Sequence, residues 1–178
     1  MNLLPLLAAA FLVQAPAPPK PALRVVQEAT VRAGREHKNV LVFFHASWCS
    51  WCRRFDKLFE SPEFAQPFRD SYVLARITVR ERDELRANEN PGWAALMRGF
   101  RGAAEQDVPY LVVLSPTGEK LSDSYRPKEG AIPNNGGYPT SPEEIEAFMN
   151  LIRRTGRGFT AEKRLQLRDK FLAESGSR

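Results

Sequence analysis

Cysteines are scarce in this chain, and their spacing is the first indication of chemistry. The sequence contains two, Cys49 and Cys52, separated by Ser50 and Trp51 in a single Cys-x-x-Cys. A small scaffold held together by disulfides would instead carry several cysteines far apart in the sequence. A lone close pair is therefore interpreted as a reactive dithiol, in which one sulfur attacks a disulfide and the other releases the product.

Two other uses of such a pair are weighed against this one. A zinc site needs four ligands, and the nitrogen donors that remain are His37 and His45, which lack the usual spacing of paired histidine ligands. A purely structural disulfide would close only a short loop and so remove little chain entropy. Both alternatives are disfavoured, and we expect neither a metal nor a cofactor.

The residues around the pair predict where it lies. Residues 39–45 form a continuous apolar run of strand length, which is typical of a central strand covered on both faces. A helix is expected to begin at the cysteines and to continue to about Glu60. Unpaired backbone N–H groups and the helix dipole at that start would stabilise a thiolate at Cys49. Cys52 would follow one turn deeper on the same face.

Periodicity, together with start and stop signals, predicts the remaining helices and strands. Their order predicts an α/β fold in which parallel strands are followed by a terminal hairpin. A segment rich in Gly, Pro and Asn, residues 126–140, predicts a long loop. The expected strands are 72–79, 110–114 and 119–125, and the expected helices are 22–35, one that starts at Ser61-Pro62, 91–100, 141–156 with a capping box at Ser141, and 160–173.

Two segments carry a family resemblance. Residues 42–52, Val-Phe-Phe-His-Ala-Ser-Trp-Cys-Ser-Trp-Cys, resemble the active-site strand and turn of the thioredoxin superfamily. Residues 107–118, which begin Asp-Val-Pro-Tyr-Leu, resemble that family's cis-proline segment and the hairpin beyond it. The chain is most similar to exported thioredoxin-like domains related to disulfide-interchange proteins. The resemblance covers about residues 22–154 and implies a thioredoxin fold, a central mixed sheet flanked by helices, here with an extra C-terminal helix.

The resemblance also implies what particular residues do. Cys49 would attack a substrate disulfide, and Cys52 would resolve the mixed disulfide. Pro109 would be cis and face the two sulfurs, although an ordinary trans proline at a strand start is the alternative. Core packing is the alternative for the two tryptophans of the motif. The implied substrate-binding residues are Trp48, Ser50, Trp51, Val108 and Pro109.

This sequence departs from the family pattern near the cysteines. Typical thioredoxins carry a buried carboxylate six residues before the first cysteine, where this chain has Phe43. His45 follows on the same strand face, so we expect it either to tune the thiol pKa or simply to pack. Arg53 and Arg54 would favour the thiolate and hence the reduced form, which is more typical of an oxidant or an isomerase. The dipeptide between the cysteines is not Gly-Pro, so the direction of electron flow stays open.

Charge and the N-terminus bear on location. Residues 153–178 hold eight Lys and Arg against three Asp and Glu, which accounts for the whole net charge of +5. A solvated helix face is expected there, with weak contact to an anionic membrane surface as the alternative and no nucleic-acid binding. Residues 3–13 are apolar but too short to span a bilayer, and they fit a signal peptide or an uncleaved anchor. We therefore expect export to the periplasm.

The sequence thus predicts three parts and one leading function. The parts are residues 1–21 as signal or anchor with a proline-rich spacer, 22–156 as a thioredoxin-like domain, and 157–178 as a basic helical extension. The function is thiol–disulfide exchange on exported proteins by a monomer that works with a redox partner protein. A non-catalytic thioredoxin-fold binding module is one alternative. A dedicated reductant for a single client, such as an apocytochrome, is the other.

Overall fold

A four-stranded mixed sheet organises the molecule. The computed structural model describes residues 17–101, 107–125 and 137–175. Within them the strands are β1 (Asn39–His45), β2 (Tyr72–Thr78), β3 (Tyr110–Leu114) and β4 (Lys120–Asp123). Their order in the sheet is β2-β1-β3-β4, with β1 parallel to β2 and antiparallel to β3. β4 is the antiparallel hairpin partner of β3. The predicted α/β fold with a central mixed sheet is confirmed.

Helices cover both faces of this sheet. They are α1 (Ala22–Glu36), α2 (Ser50–Glu60), α3 (Ala65–Ser71), a 3₁₀ helix (Asp83–Asn88), α4 (Trp93–Arg101), α5 (Pro142–Thr155) and α6 (Ala161–Ser175). One face of the sheet packs against α2, α3, α5 and α6, and the other packs against α1 and α4.

Burial on both faces explains the apolar run of β1. Successive side chains of a strand point to opposite faces of the sheet. Leu41 and Phe43 lie in the core beneath α2 and α5, whereas Val40, Val42 and Phe44 lie in the core beneath α1. The strand therefore needs apolar residues at consecutive positions, as a central strand does.

Local signals predicted most elements, with one error. The bounds of β1 are as expected, and the capping box at Ser141 is confirmed, because its hydroxyl accepts from the Glu144 N–H at 3.3 Å and the Glu144 carboxylate accepts from the Ser141 N–H at 3.1 Å. The helix start at Ser61-Pro62 is wrong. Residues 61–64 form a turn, closed by a bond from the Phe64 N–H to the Ser61 carbonyl at 3.2 Å, and α3 begins only at Ala65.

The basic C-terminal helix α6 is anchored by apolar residues. Leu167 and Phe171 are fully buried in the core that also holds the cysteines. Charged residues of α6 also form ion pairs, such as Lys170 with Glu174 at 2.8 Å. The predicted signal segment up to residue 16, and residues 126–136 of the predicted loop, lie outside the described residues. Within the described part of the chain, no helix has the length and apolar character needed to cross a membrane.

Candidate active site

The turn between β1 and α2 carries both cysteines. Cys49 caps the start of α2, and its sulfur accepts a hydrogen bond from the Cys52 backbone N–H at 3.1 Å. The Cys49 N–H donates to the Ala46 carbonyl at 3.1 Å, which closes the turn after β1. The two cysteines are joined in a disulfide, with their Cα atoms 5.2 Å apart. The pair and the helix start therefore coincide.

This geometry acts on Cys49 more strongly than on Cys52. The first N–H groups of a helix lack intrahelical acceptors, and the helix dipole is positive there, so negative charge is stabilised. A sulfur at that position is favoured as a thiolate once the disulfide is reduced. Cys49 is 4% exposed and Cys52 is 1% exposed, so both residues are buried in the disulfide form. The arrangement is suited to two-step exchange between a dithiol and a disulfide.

The proline segment reaches the same place from β3. The Val108–Pro109 peptide bond is cis, Pro109 is buried and Val108 is half-buried. Because β3 runs antiparallel to β1 with Tyr110 opposite Phe44, the residues just before Tyr110 lie beside the chain that leaves β1 toward the cysteines. Strand pairing thus brings together segments about sixty residues apart in the sequence.

The two tryptophans of the motif differ in environment. Trp48 is 38% exposed, and its indole N–H donates to the Arg80 carbonyl at 2.7 Å. The Arg82 guanidinium lies 4.6 Å from the centre of the Trp48 ring. Trp51 is half-buried and stacks on Tyr138, with the ring centres 6.1 Å apart. Trp48 therefore presents a face to solvent beside the disulfide, whereas Trp51 forms a packed wall.

The other residues at the start of α2 are exposed but not equivalent. Ser50 is the first residue of the helix and faces solvent. The Arg53 guanidinium donates to the Ser47 carbonyl at 2.9 Å and so braces the turn before Cys49. The Arg54 guanidinium lies over the Trp51 ring, 4.8 Å from its centre. The two arginines thus contact different parts of the site.

A cluster that sequence reasoning missed supports Trp51 from α6. The Tyr138 hydroxyl donates to the Glu174 carboxylate at 2.8 Å. Burial and this carboxylate raise the pKa of Tyr138, so its hydroxyl stays protonated. Burial opposes ionisation of Glu174, but hydrogen bonds from Lys170 and Tyr138 lower its pKa overall. The only signal for this cluster was an aromatic residue in a segment that otherwise predicts a loop.

His45 ends β1 close to the site. Its ring stacks on Phe43, with the centres 5.1 Å apart. Burial lowers the pKa of His45, the Asp56 and Glu81 carboxylates oppose that effect, and the Arg76 guanidinium adds to it. The imidazole is therefore held in its neutral form near neutral pH. Among the described residues no hydrogen bond joins His45 to either sulfur, and its action on the thiols stays a prediction.

Glu81 is a buried acid that sequence reasoning also missed. It follows β2, is 5% exposed, and accepts hydrogen bonds from the Ser47 backbone N–H at 2.7 Å and from the Ser47 hydroxyl at 2.6 Å. In the sequence it stands in the run Arg-Glu-Arg-Asp-Glu at residues 80–84, which is typical of a solvated segment. No local pattern marks it as buried.

The part of the chain that holds the site matches a known family. The thioredoxin-like family matches residues 22–116. Mouse protein disulfide-isomerase A5 is 27% identical over 120 residues, which are 66% of this chain and 22% of that protein, so the chain spans about a fifth of its length.

Solved structures similar to this chain have low identity. A disulphide isomerase from Xylella fastidiosa is 22% identical, with 57% of this chain and 72% of that chain covered and a TM-score of 0.43. A thioredoxin from Thermus thermophilus is 19% identical, with 58% and 71% covered and a TM-score of 0.42. The DsbH oxidoreductase is 16% identical, with 85% and 95% covered and a TM-score of 0.47.

Proposed function

Because this chain belongs to the thioredoxin-like family, we propose that it is a thiol–disulfide oxidoreductase whose reacting groups are Cys49 and Cys52. The observation that carries the proposal is their disulfide at the start of α2, with a backbone N–H directed at the Cys49 sulfur. That N–H and the helix dipole stabilise the thiolate that the reaction needs as nucleophile or leaving group.

The exchange uses both sulfurs in sequence. In the reducing direction, the Cys49 thiolate attacks one sulfur of a substrate disulfide, and the other substrate sulfur leaves as a thiolate. Cys52 then loses its proton and attacks the Cys49 sulfur, which releases the second substrate thiol. Two electrons have passed from the dithiol to the substrate, and the Cys49–Cys52 disulfide remains. The oxidising direction is the reverse, so a redox partner protein must restore the starting state in either case.

Substrate would bind beside the exposed face of Trp48. Val108, half-buried on the opposite side, would offer backbone groups to an extended substrate peptide, as edge-strand recognition requires. Pro109 would keep that segment against the disulfide, Ser50 would lie at the rim of the site, and Trp51 would act as a wall.

The clients are exported proteins, in keeping with the apolar N-terminal run. Residues 3–13 are apolar and a proline-rich spacer follows. Fusing residues 1–21 to alkaline phosphatase lacking its own signal tests this, because that enzyme needs disulfides formed outside the cytoplasm. An active fusion is expected, and a phosphatase fused instead to residues 22–41 is the control. Equal activity of the two fusions would contradict export.

Two serine variants test the exchange activity. Wild-type protein should accelerate the reduction of insulin disulfides by dithiothreitol, and Cys49→Ser should abolish the acceleration because it lacks the attacking sulfur. Cys52→Ser should accumulate a mixed disulfide between Cys49 and the substrate, because the resolving sulfur is missing. The adduct should disappear on reduction, and Cys49→Ser, the matched control, should form none.

The same variants distinguish the alternative of a binding module. Wild type without activity in insulin reduction and in refolding of a scrambled disulfide substrate, and indistinguishable from Cys49→Ser, would contradict the proposal. Equal adduct formation by Cys49→Ser and Cys52→Ser would also contradict it, since the two sulfurs would then have no distinct functions.

A further inference from the structure

The loop that follows β2 contacts the cysteine turn through a buried carboxylate. Glu81 is 5% exposed, and its carboxylate accepts from both the backbone N–H and the hydroxyl of Ser47, at 2.7 and 2.6 Å. Its own N–H donates to the Glu89 carboxylate at 2.8 Å. A carboxylate is costly to bury unless hydrogen bonds satisfy it. Here the bonds that satisfy it come from a residue two positions before Cys49.

The neighbouring residue of the loop contacts both sides of the site. Arg80 has a positive φ of 52°, a conformation uncommon for residues other than glycine. Its carbonyl accepts from the Trp48 indole N–H at 2.7 Å, and its guanidinium pairs with Asp107 at 3.6 Å. Asp107 directly precedes the Val108–Pro109 bond. Residues 80–81 therefore link the cysteine turn to the proline segment.

We propose that Glu81 is a positioning residue for thiol–disulfide exchange: it holds the turn of residues 46–48 so that Cys49 caps α2, and its negative charge keeps the Cys49 thiol less acidic than the helix start alone would make it. This inference rests on the proposed function. Two opposing effects would then set the pKa of the Cys49 thiol. The helix start stabilises the thiolate, and the buried carboxylate limits that stabilisation.

Several charged or titratable groups surround the Glu81 carboxylate. Those beside it are Arg80 and Arg82 in its own loop, Glu89 at its N–H, His45 at the end of β1, and Arg53 on the Ser47 carbonyl. The Glu81 carboxylate raises the pKa of His45 against the effect of burial, so its charge is felt at the end of β1.

Chain geometry sets the size of the expected effect. The Glu81 carboxylate bonds to Ser47, and one residue, Trp48, separates Ser47 from Cys49, which keeps the Cα atoms of Ser47 and Cys49 within about 7 Å. A unit charge that acts on a thiol across roughly 7–10 Å of partly buried surroundings shifts its pKa by about one unit. Loss of the charge should therefore lower the Cys49 pKa and increase the thiolate fraction about tenfold at a pH below both values.

Two variants separate the effect of the Glu81 charge from the effect of its hydrogen bonds to the turn. Glu81→Gln keeps the size of the side chain and an oxygen that accepts from the Ser47 N–H, but it removes the charge. Ser47→Ala keeps the charge and removes one of the two hydrogen bonds to the turn. Glu84→Gln makes the same charge change at an exposed position of the 3₁₀ helix and is the matched control. The pH dependence of Cys49 alkylation by iodoacetamide is measured for each reduced full-length protein in a Cys52→Ser background.

The expected results differ between the variants. Glu81→Gln should lower the Cys49 pKa by about one unit, and Glu84→Gln should leave it unchanged. Ser47→Ala should not lower that pKa, but it should speed amide hydrogen exchange at residues 47–49 several-fold relative to Glu84→Gln, because the turn has lost a bond. Equal Cys49 pKa values in Glu81→Gln and Glu84→Gln would overturn the effect of the charge. Unchanged hydrogen exchange in Ser47→Ala would overturn the positioning.

These readouts do not depend on exchange activity. Alkylation and hydrogen exchange report on the thiol and the turn even if the protein reduces no substrate. A protein inactive on insulin that still shows the Glu81→Gln shift would contradict the proposed function and support the action of Glu81. An active protein without the shift would do the opposite.

Discussion

Replacing Phe171 with alanine should lower the free energy of unfolding by about 3–5 kcal/mol, the range for deleting a buried aromatic side chain. Phe171 lies in α6, outside residues 22–116 that match the family, and its side chain is fully buried. Its ring meets those of Tyr138 and Phe148 edge to face, each with centres 5.3 Å apart.

The upper half of that range is expected. Each edge-to-face aromatic pair adds about 0.5–1.5 kcal/mol beyond the burial of area, and Phe171 makes two such pairs. The cavity would be lined by large aromatic rings of the core, which cannot collapse into it without leaving their own contacts. Tyr138 also stacks on Trp51, so the cavity would lie one residue away from the side chain that follows Ser50 at the start of α2.

Equilibrium unfolding in urea provides the measurement, and the next residue provides the control. Leu172 is 43% exposed, so Leu172→Ala also removes an apolar side chain from the same helix, although a smaller one, and should cost less than about 1 kcal/mol. A single cooperative transition is expected for both variants, with a lower midpoint for Phe171→Ala.

Two results would refute the reasoning. Equal midpoints for Phe171→Ala and Leu172→Ala would mean that α6 contributes no core to the cooperative unit. A separate early transition in the wild type, removed by Phe171→Ala, would mean that α6 unfolds independently as a low-stability segment. Either result would favour the sequence expectation of an extension distinct from the thioredoxin-like domain.

Further predictions concern a close backbone approach and a buried histidine. Gly158→Ala should destabilise the protein by about 1–3 kcal/mol through overpacking, because an added Cβ would lie 2.7 Å from the Pro67 carbonyl oxygen and 2.6 Å from the Asp70 Cβ. Gly99→Ala, inside α4 with open space around it, should stabilise the protein by about 0.5–1 kcal/mol. Urea unfolding should show changes of opposite sign in the free energy of unfolding for the two variants, and changes of the same sign would contradict this prediction. Burial lowers the pKa of His45 in the folded state below its pKa in the unfolded state, so the unfolded state binds the proton more readily. The free energy of unfolding should therefore fall as the pH drops from above the unfolded-state pKa to below the folded-state pKa. His45→Gln should flatten this dependence, and an unchanged slope in pH-dependent urea unfolding would show that His45 does not cause it.

Much of the candidate site follows from local sequence. The apolar run that becomes β1 and the spacing of Cys49 and Cys52 are patterns that act over a few residues. The position of a helix start also depends on residues close in sequence, because a capping side chain must lie within one turn of the N–H groups it satisfies. Such signals located the cysteine pair at the start of α2, and they located the capping box at Ser141.

Short-range signals were also misleading in one place. Proline fits the first turn of a helix, so Ser61-Pro62 predicted a helix start. In the structure the chain completes a turn first, because Phe64 lies outside the helical region, with φ of −120° and ψ of −14°, before α3 begins. Phe64 is fully buried in the core, so tertiary packing is consistent with the delay.

Local sequence patterns thus predicted the cysteine pair, the strand and helix that present it, and the family to which the chain belongs. Tertiary structure alone decided which charged and aromatic residues surround that pair. Glu81 is buried because strand pairing sets the end of β2 beside the end of β1, where Ser47 satisfies its carboxylate. Tyr138 is buried because α6 packs over it. Burial of a polar group depends on partners tens of residues away, and no local pattern encodes them.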